Sequence, residues 1–287
     1  MLFSMTGFGK SHLQTDEKEI NVEIKSLNSK NHDFKLRLPS SFKEKETEVR
    51  RLLIEKLIRG KIDLQIQIND LSGKPSGKIN PLVLKKYLEQ LREVKPDLDE
   101  NLAINSIIKL PDVLQIEENH PDEYLWNEIK KSVVDAIEHL IDFRKQEGNS
   151  LRKDLENNIT TIKKHLDKII EIDKNRIKEK KSKIHSELEQ LKVEIDENRF
   201  EQELIYYIEK FDINEEIVRL KNHLDYFLKE LHNNKISKGK KLGFISQEIG
   251  REINTIGSKA NHSEIQRNVV EMKDALEKIK EQVLNVL

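Results

Sequence analysis

Residues 151–169 read LRKDLENNITTIKKHLDKI. Leu151, Leu155, Ile159, Ile162, Leu166 and Ile169 recur at steps of four and three, which places them on one face of an α-helix. Every residue between them is polar or charged. The spacing resumes at Ile184, Leu188, Leu191 and Ile195. The stretch lies within 90 consecutive residues, 149–238, that contain neither glycine nor proline. Long helices tolerate such a run, whereas turns and loops draw on those two residues. One helix of that length would reach about 135 Å, so a fold-back is expected. Asn198-Arg199-Phe200-Glu201 and Asp212-Ile213-Asn214-Glu215 each offer an N-cap with a glutamate three residues on. The second predicts a break near 212, after which Ile217, Leu220, Leu224, Phe227 and Leu231 form a new apolar stripe.

Further along, Ser263-Glu264-Ile265-Gln266 reads as a capping box. Ile265, Val269, Met272, Leu276, Ile279, Val283 and Val286 then alternate steps of four and three, a narrow seam that requires a partner helix. The partner is either the long helix of the same chain or a neighbouring subunit. In the expected assembly, an oligomer buries the 265–286 seam.

The first third of the chain is punctuated differently, since all six prolines lie at or before position 121. Residues 20–24, 34–38 and 62–68 alternate apolar and polar as half-buried strands do. Residues 28–33 read as a turn, so a hairpin is expected between the first two. Residues 42–58 read as a helix with Val49, Leu52, Leu53, Lys56 and Leu57 on one side, ended by Gly60. Residues 95–128 carry nine acids against two lysines and read as a solvated connector. The fold class is therefore α+β: N-terminal antiparallel strands with helices, a long helical arm and a C-terminal helical domain. The expected boundaries are 1–121 (extending to about 155 at most), 122–197 and 198–287.

Composition narrows the function. The chain has 287 residues, of which 36 % are charged, well above the usual quarter, so much of it is solvated surface. The 51 Lys and Arg nearly balance 52 Asp and Glu, so any surface for a polyanion must be local. No cysteine is present, which excludes disulfide scaffolds, thiolate metal sites and cysteine nucleophiles. No apolar run approaches 18 residues and the first residues do not read as a signal peptide. A soluble, cytoplasmic protein is expected. A Walker A loop, HExxH and GxSxG are absent from the sequence.

One segment, 235–261, holds six basic residues against two acids and four of the ten glycines. On a helix, Glu248 and Glu252 are one turn apart on one face. Carboxylates so spaced can hold a divalent cation whose shell is completed by water and phosphate oxygens. Such an ion could activate water or stabilise a leaving oxygen in phosphodiester cleavage. The same residues also suit a charged helix face on which Glu248, Arg251 and Glu252 pair among themselves. Glu271, off the apolar seam, is a third candidate metal ligand. His223 beside the stripe at 220, 224 and 227 is either a packed histidine or a general base. Candidate phosphate contacts are Lys240, Lys241, Arg251 and Lys259, with Arg37, Arg59 and Lys61 from the strand region. The strand-region set reads equally as a solvated face.

Several short motifs run in order along the chain: Ser4-Met5-Thr6-Gly7-Phe8-Gly9; Glu23-Ile24-Lys25-Ser26-Leu27-Asn28 with Leu36-Arg37-Leu38-Pro39; Arg59-Gly60-Lys61; Glu147-Gly148; Asn198-Arg199-Phe200-Glu201-Gln202-Glu203-Leu204; and 242–259, LGFISQEIGREINTIGSK. Together they resemble the YicC/YloC family. The resemblance implies an endoribonuclease acting on single-stranded RNA with a divalent cation, Mn²⁺ or Mg²⁺, in small-RNA or mRNA turnover. It also implies a hexameric homo-oligomer with a basic channel, RNA as partner and other RNA-decay proteins as further partners. The catalytic assignment of Glu248, Glu252 and His223, and of Glu248, Glu252 and Glu271 to the metal, rests on local chemistry. The rival expectation is a non-catalytic oligomeric adaptor that presents RNA to a separate ribonuclease.

Overall fold

The computed structural model describes residues 1–29, 31–73, 77–96, 99–116, 122–190, 206 and 209–287. Four strands form the first sheet: β1 (Gly7–Gln14), β2 (Lys18–Leu27), β3 (His32–Arg37) and β4 (Gly60–Asp70), in the order β1-β2-β4-β3. β1–β2 and β2–β4 are antiparallel, and β3–β4 is parallel. The expected hairpin between the second and third strands is therefore not formed. β4 separates them, with its buried Ile62, Leu64 and Ile66 beside Ile20, Val22 and Ile24 of β2, which are buried as well.

β3 reaches β4 through a 3₁₀ turn (Ser40–Lys45) and α1 (Glu46–Lys56), the helical crossover that parallel strands require. Val49, Leu53 and Leu57 pack on the sheet. Gly60 lies three residues past the residue that caps α1, not directly at the helix end. It opens β4 with φ +134°, a conformation that glycine adopts without strain.

A small lobe follows: β5 (Gly77–Ile79), α2 (Pro81–Val94), α3 (Glu100–Ile107) and β6 (Leu114–Ile116). β5 and β6 pair, and Ala103, Ile107 and Val113 form its own core. The acidic stretch is thus not merely a connector, since it contains α3 and β6.

α4 (Glu123–Gln190) runs for 68 residues, about 100 Å. Its first part lays Leu125, Trp126, Ile129, Val133, Ala136, Ile137 and Leu140 on the sheet. Its middle part contributes Leu151, Leu155, Ile159, Ile162, Leu166 and Ile169 to a second core. That core is completed by α5 (Asn214–His232), α6 (Gly239–Ala260) and α7 (Ser263–Val283). α4 is therefore a shared member of both cores.

The chain returns along α4. Arg176 donates to Phe211 O, Lys163 pairs with Asp225 and His232 with Glu156, so rising numbers on α5 meet falling numbers on α4. Asp212 accepts from Asn214 N–H at 2.9 Å, where α5 begins. The cap expected at Asn198 lies outside the described residues. The 265–286 seam is buried within the chain against α4 and α6, with every seam residue under 5 % exposed. This corrects the expectation that an oligomer buries it. The capping box at Ser263 does not form either: Ser263 is already helical and Gln266 donates to Gly257 O. Asn261, in the left-handed conformation at φ 38°, turns the chain tightly enough for that reach.

Candidate nucleic-acid interface

The short motifs of the first half meet at one buried arginine. Arg144 of α4 donates to Met5 O at 3.2 Å and Arg59 O at 3.3 Å and also bonds Ser26 Oγ. Ser26 Oγ donates to Met5 O, and Thr6 Oγ1 donates to Glu147 Oε2 at 2.9 Å. Burial pushes the Arg144 guanidinium down to about 10, so it remains a cation at neutral pH. Gly148 lets the first residues cross α4, since a Cβ there would stand 2.1 Å from Leu2 O.

The same crossing ties the strand region to α6. Met5 N–H donates to Asn285 O, Leu287 N–H to Phe3 O, and Asn28 Nδ2 to Leu284 O. Arg59 Nη2 donates to Val286 O at 3.3 Å, while its buried Nε has no partner among the described residues. Lys238 and Gly239, at the start of α6, donate their N–H groups to Leu287 O. Residues 284–287 thus hold Arg59 and the first turn of α6 in one neighbourhood. Buried Lys238 donates to Leu231 O at 2.8 Å and also to Asn233 O, satisfying the end of α5. Burial lowers its pKa.

α5 and α6 lie antiparallel and are bracketed by two ion pairs. Lys259 meets buried Glu216, and Lys241 meets buried Glu230, each at 2.7 Å. The hydrogen bond from Lys241 holds the Glu230 carboxyl below its ordinary value and raises the lysine's. His223 is seven residues from both Glu216 and Glu230, two helical turns each way, so it lies on the same stripe of α5. Glu248 and Glu252 lie between Lys241 and Lys259 on the facing stripe of α6 by the same arithmetic. The register therefore sets His223 of α5 level with Glu248 and Glu252 of α6, with Glu248 on the exposed margin of the pair. Glu252 is 5 % exposed and has no hydrogen bond or ion pair among the described residues, whereas Glu248 is half exposed and lies 4.0 Å from Arg251. Glu271 lies exposed on α7. α7 packs on the Gly250 and Gly257 side of α6, well round the helix from Glu252. Among the described residues, no three His, Asp or Glu side chains converge to form a cation shell.

The seven expected phosphate contacts divide into two groups. Lys241 and Lys259 are engaged with buried carboxylates. Arg59 is engaged with main chain. Arg37 lies 3.6 Å from Asp63, and Lys61 4.0 Å from Asp33, both on the sheet. Lys240 and Arg251 project from the exposed face of α6, with Lys240 Nζ 5.9 Å from the Phe244 ring centre.

Sequence reasoning missed Arg144, Glu216 and Glu230. A signal existed, because Arg144 falls four residues after Leu140 and seven before Leu151, a charge on the apolar stripe of a helix. Glu216 likewise falls four residues before Leu220.

These observations define the class: an α+β protein in which one helix serves a mixed sheet and an antiparallel helix bundle, with a cationic face on α6. Residues 2–153 match the family model described as Endoribonuclease YicC-like, N-terminal region, and residues 162–287 match Endoribonuclease YicC-like, C-terminal. The chain belongs to this family, and the boundary between the two matched regions falls inside α4. It is 35 % identical over 294 residues to "Probable endoribonuclease YicC" of Clostridioides difficile (strain 630), and 26 % identical over 288 residues to the protein of the same name in Haemophilus influenzae (strain ATCC 51907 / DSM 11121 / KW20 / Rd). Both similarities cover the whole of each chain. Among the described residues, no helix is long and apolar enough to cross a membrane.

Proposed function

We propose that this protein is an endoribonuclease that cuts single-stranded RNA with the help of a divalent cation. The observation that carries the reading is full-length similarity to relatives named as probable endoribonucleases, in a chain whose α6 presents Glu248 and Glu252 beside exposed cations. The donor set suits a hard cation of the Mg²⁺ or Mn²⁺ kind, which is commonly held by one or two carboxylates with water and phosphate oxygens. Glu252 is available for this role, because its carboxylate makes no hydrogen bond or ion pair among the described residues. When bound, the ion supplies charge stabilisation at the phosphate and a water of lowered pKa. Lys240 and Arg251 hold the phosphates flanking the cut, and Arg59 reinforces the same neighbourhood. His223, on the facing stripe, takes or gives a proton at the attacking or leaving oxygen. Glu271 joins only as an outer group, given its place on α7. The working form in this reading is a homo-oligomer.

The test is cleavage of an end-labelled single-stranded RNA by purified protein with Mn²⁺, Mg²⁺ or EDTA, beside the Glu248→Gln/Glu252→Gln double variant. Cutting that requires both the metal and the carboxylates is expected. Equal cutting by the double variant would remove these residues from the site. RNA binding without cutting, by the wild type under every metal condition, would replace the nuclease with the adaptor. The chemistry of the product ends reports whether water or the 2′-hydroxyl attacks.

A further inference from the structure

Phe244 is out of place on an otherwise polar helix face. It is 58 % exposed near the middle of α6's solvent side, with Lys240 one turn before it and Gln247 and Arg251 one and two turns after. A buried seam runs along the opposite side of the same helix, so the fold does not need a phenylalanine here. More than half of Phe244 faces water, so its ring is open to a planar group. On α5, Tyr226 is a second exposed ring, 42 % accessible, with Lys241 Nζ 5.0 Å from its centre. Each ring thus carries a lysine at cation–π range. Of the six basic residues of segment 235–261, Lys235, Lys240 and Arg251 are exposed, while Lys238 is buried and Lys241 and Lys259 pair with Glu230 and Glu216. Exposed rings interleaved with cations are how proteins hold single strands: each ring stacks an unpaired base while the cations take the backbone.

We propose that Phe244 is a base-stacking platform for single-stranded RNA, with Lys240 and Arg251 on the phosphates at either side. This deepens the nuclease reading and rests on it. The ring positions an unpaired nucleotide along α6, in line with Glu248, which lies one turn further on. The preference for an unpaired strand follows, because a base within a duplex has no free face to offer.

The test is fluorescence-anisotropy binding in EDTA, with labelled 12-nucleotide oligoadenylate, oligouridylate and an abasic strand of equal length. Phe244→Leu keeps the bulk but removes the ring. It is expected to weaken oligoadenylate binding about 5- to 100-fold, with a smaller loss for oligouridylate, the base that stacks less well. It should leave abasic binding and the salt slope unchanged. Lys240→Ala should instead make the salt slope shallower by about 0.7. Phe244→Trp should restore affinity, and its added indole emission should fall as RNA saturates. Unchanged oligoadenylate affinity in Phe244→Leu would overturn the proposal, as would an equal loss on the abasic strand. A change of molar mass by light scattering in Phe244→Leu would assign the ring to a contact between copies instead, and overturn it too. If the wild type binds none of the three strands, the RNA reading itself falls.

Discussion

Gly148 tests how the two ends of the chain are locked to α4. A Cβ at that position would stand 2.1 Å from Leu2 O, 2.6 Å from Leu2 C and 2.9 Å from Phe3 Cα. Ordinary contact begins near 3.4 Å, so Gly148→Ala requires the first residues to move by about 1.3 Å. That displacement breaks Ser4 N–H to Arg144 O at 3.0 Å, Met5 N–H to Asn285 O at 2.8 Å and Leu287 N–H to Phe3 O at 3.0 Å. Each such bond contributes about 0.5–1.5 kcal/mol, so three contribute about 2–4 kcal/mol. Alanine returns about 1 kcal/mol through its helix propensity. The net cost is about 2 kcal/mol, which at about 2 °C per kcal/mol for a chain of this size lowers the midpoint by about 4 °C. Gly243 is the control, since a Cβ there meets only Val283 Cγ1 at 3.8 Å. Gly243→Ala should therefore raise the midpoint. The assay is thermal melting by circular dichroism, with hydrogen exchange at Met5 and Leu287. A Gly148→Ala protein that gains stability as Gly243→Ala does, with unchanged exchange at both amides, would refute the reasoning.

Trp126 is the single tryptophan and lies buried between α4 and the sheet. Because α4 serves both cores, its fluorescence and the helical signal at 222 nm should give one coincident urea transition; two separated transitions would show that the shared helix does not couple them. Arg176 is 2 % exposed and donates to Asp173, Ala260 O and Phe211 O, so Arg176→Met should cost about 2–5 kcal/mol by stranding those acceptors. A urea midpoint within error of wild type would count against it. Hydrogen bonds from Lys130 to Glu48 and from Lys241 to Glu230 hold both carboxyls below the reference value of 4.5. A carboxyl lowered on folding stabilises the fold above its unfolded pKa and loses that contribution as pH falls through its folded pKa. The urea midpoint should thus hold between pH 7 and 5 and fall below about 4.5, with a shallower fall in Glu48→Gln/Glu230→Gln. An identical acid limb in that variant would contradict the assignment.

Periodicity made α4, α5 and α7 legible, because one broad apolar face is all that a bundle helix needs to declare. β1 was hidden for the opposite reason. Its inward positions include Gly9 and Ser11, small because α4 approaches closely there: a Cβ on Gly9 would stand 2.1 Å from Ala136 O. Strand order was also out of reach. Alternation marks a strand but does not say which neighbour it chooses, and the passage from β2 across β4 to β3 leaves no local trace. In the candidate site, the spacing of Glu248 and Glu252 along α6 was legible. Their placement opposite His223 was not, since it depends on the antiparallel register set by Glu216–Lys259 and Glu230–Lys241. Arg144 organises motifs more than a hundred residues apart, and only the folded chain shows that they share it.

The pairing of residues 3–5 with 285–287 also sets a schedule. On the ribosome, at about 5–20 residues per second, Met5 waits roughly 15–60 s for Asn285 to be made. Until then the main-chain groups of residues 3 and 5 that bond 285 and 287 have no mate, and Arg59 lacks the Val286 carbonyl that anchors it. A truncated translation product therefore leaves Arg59 and the first turn of α6 without their common anchor. Synthesis of residues 284–287 and assembly of that neighbourhood become a single event in time.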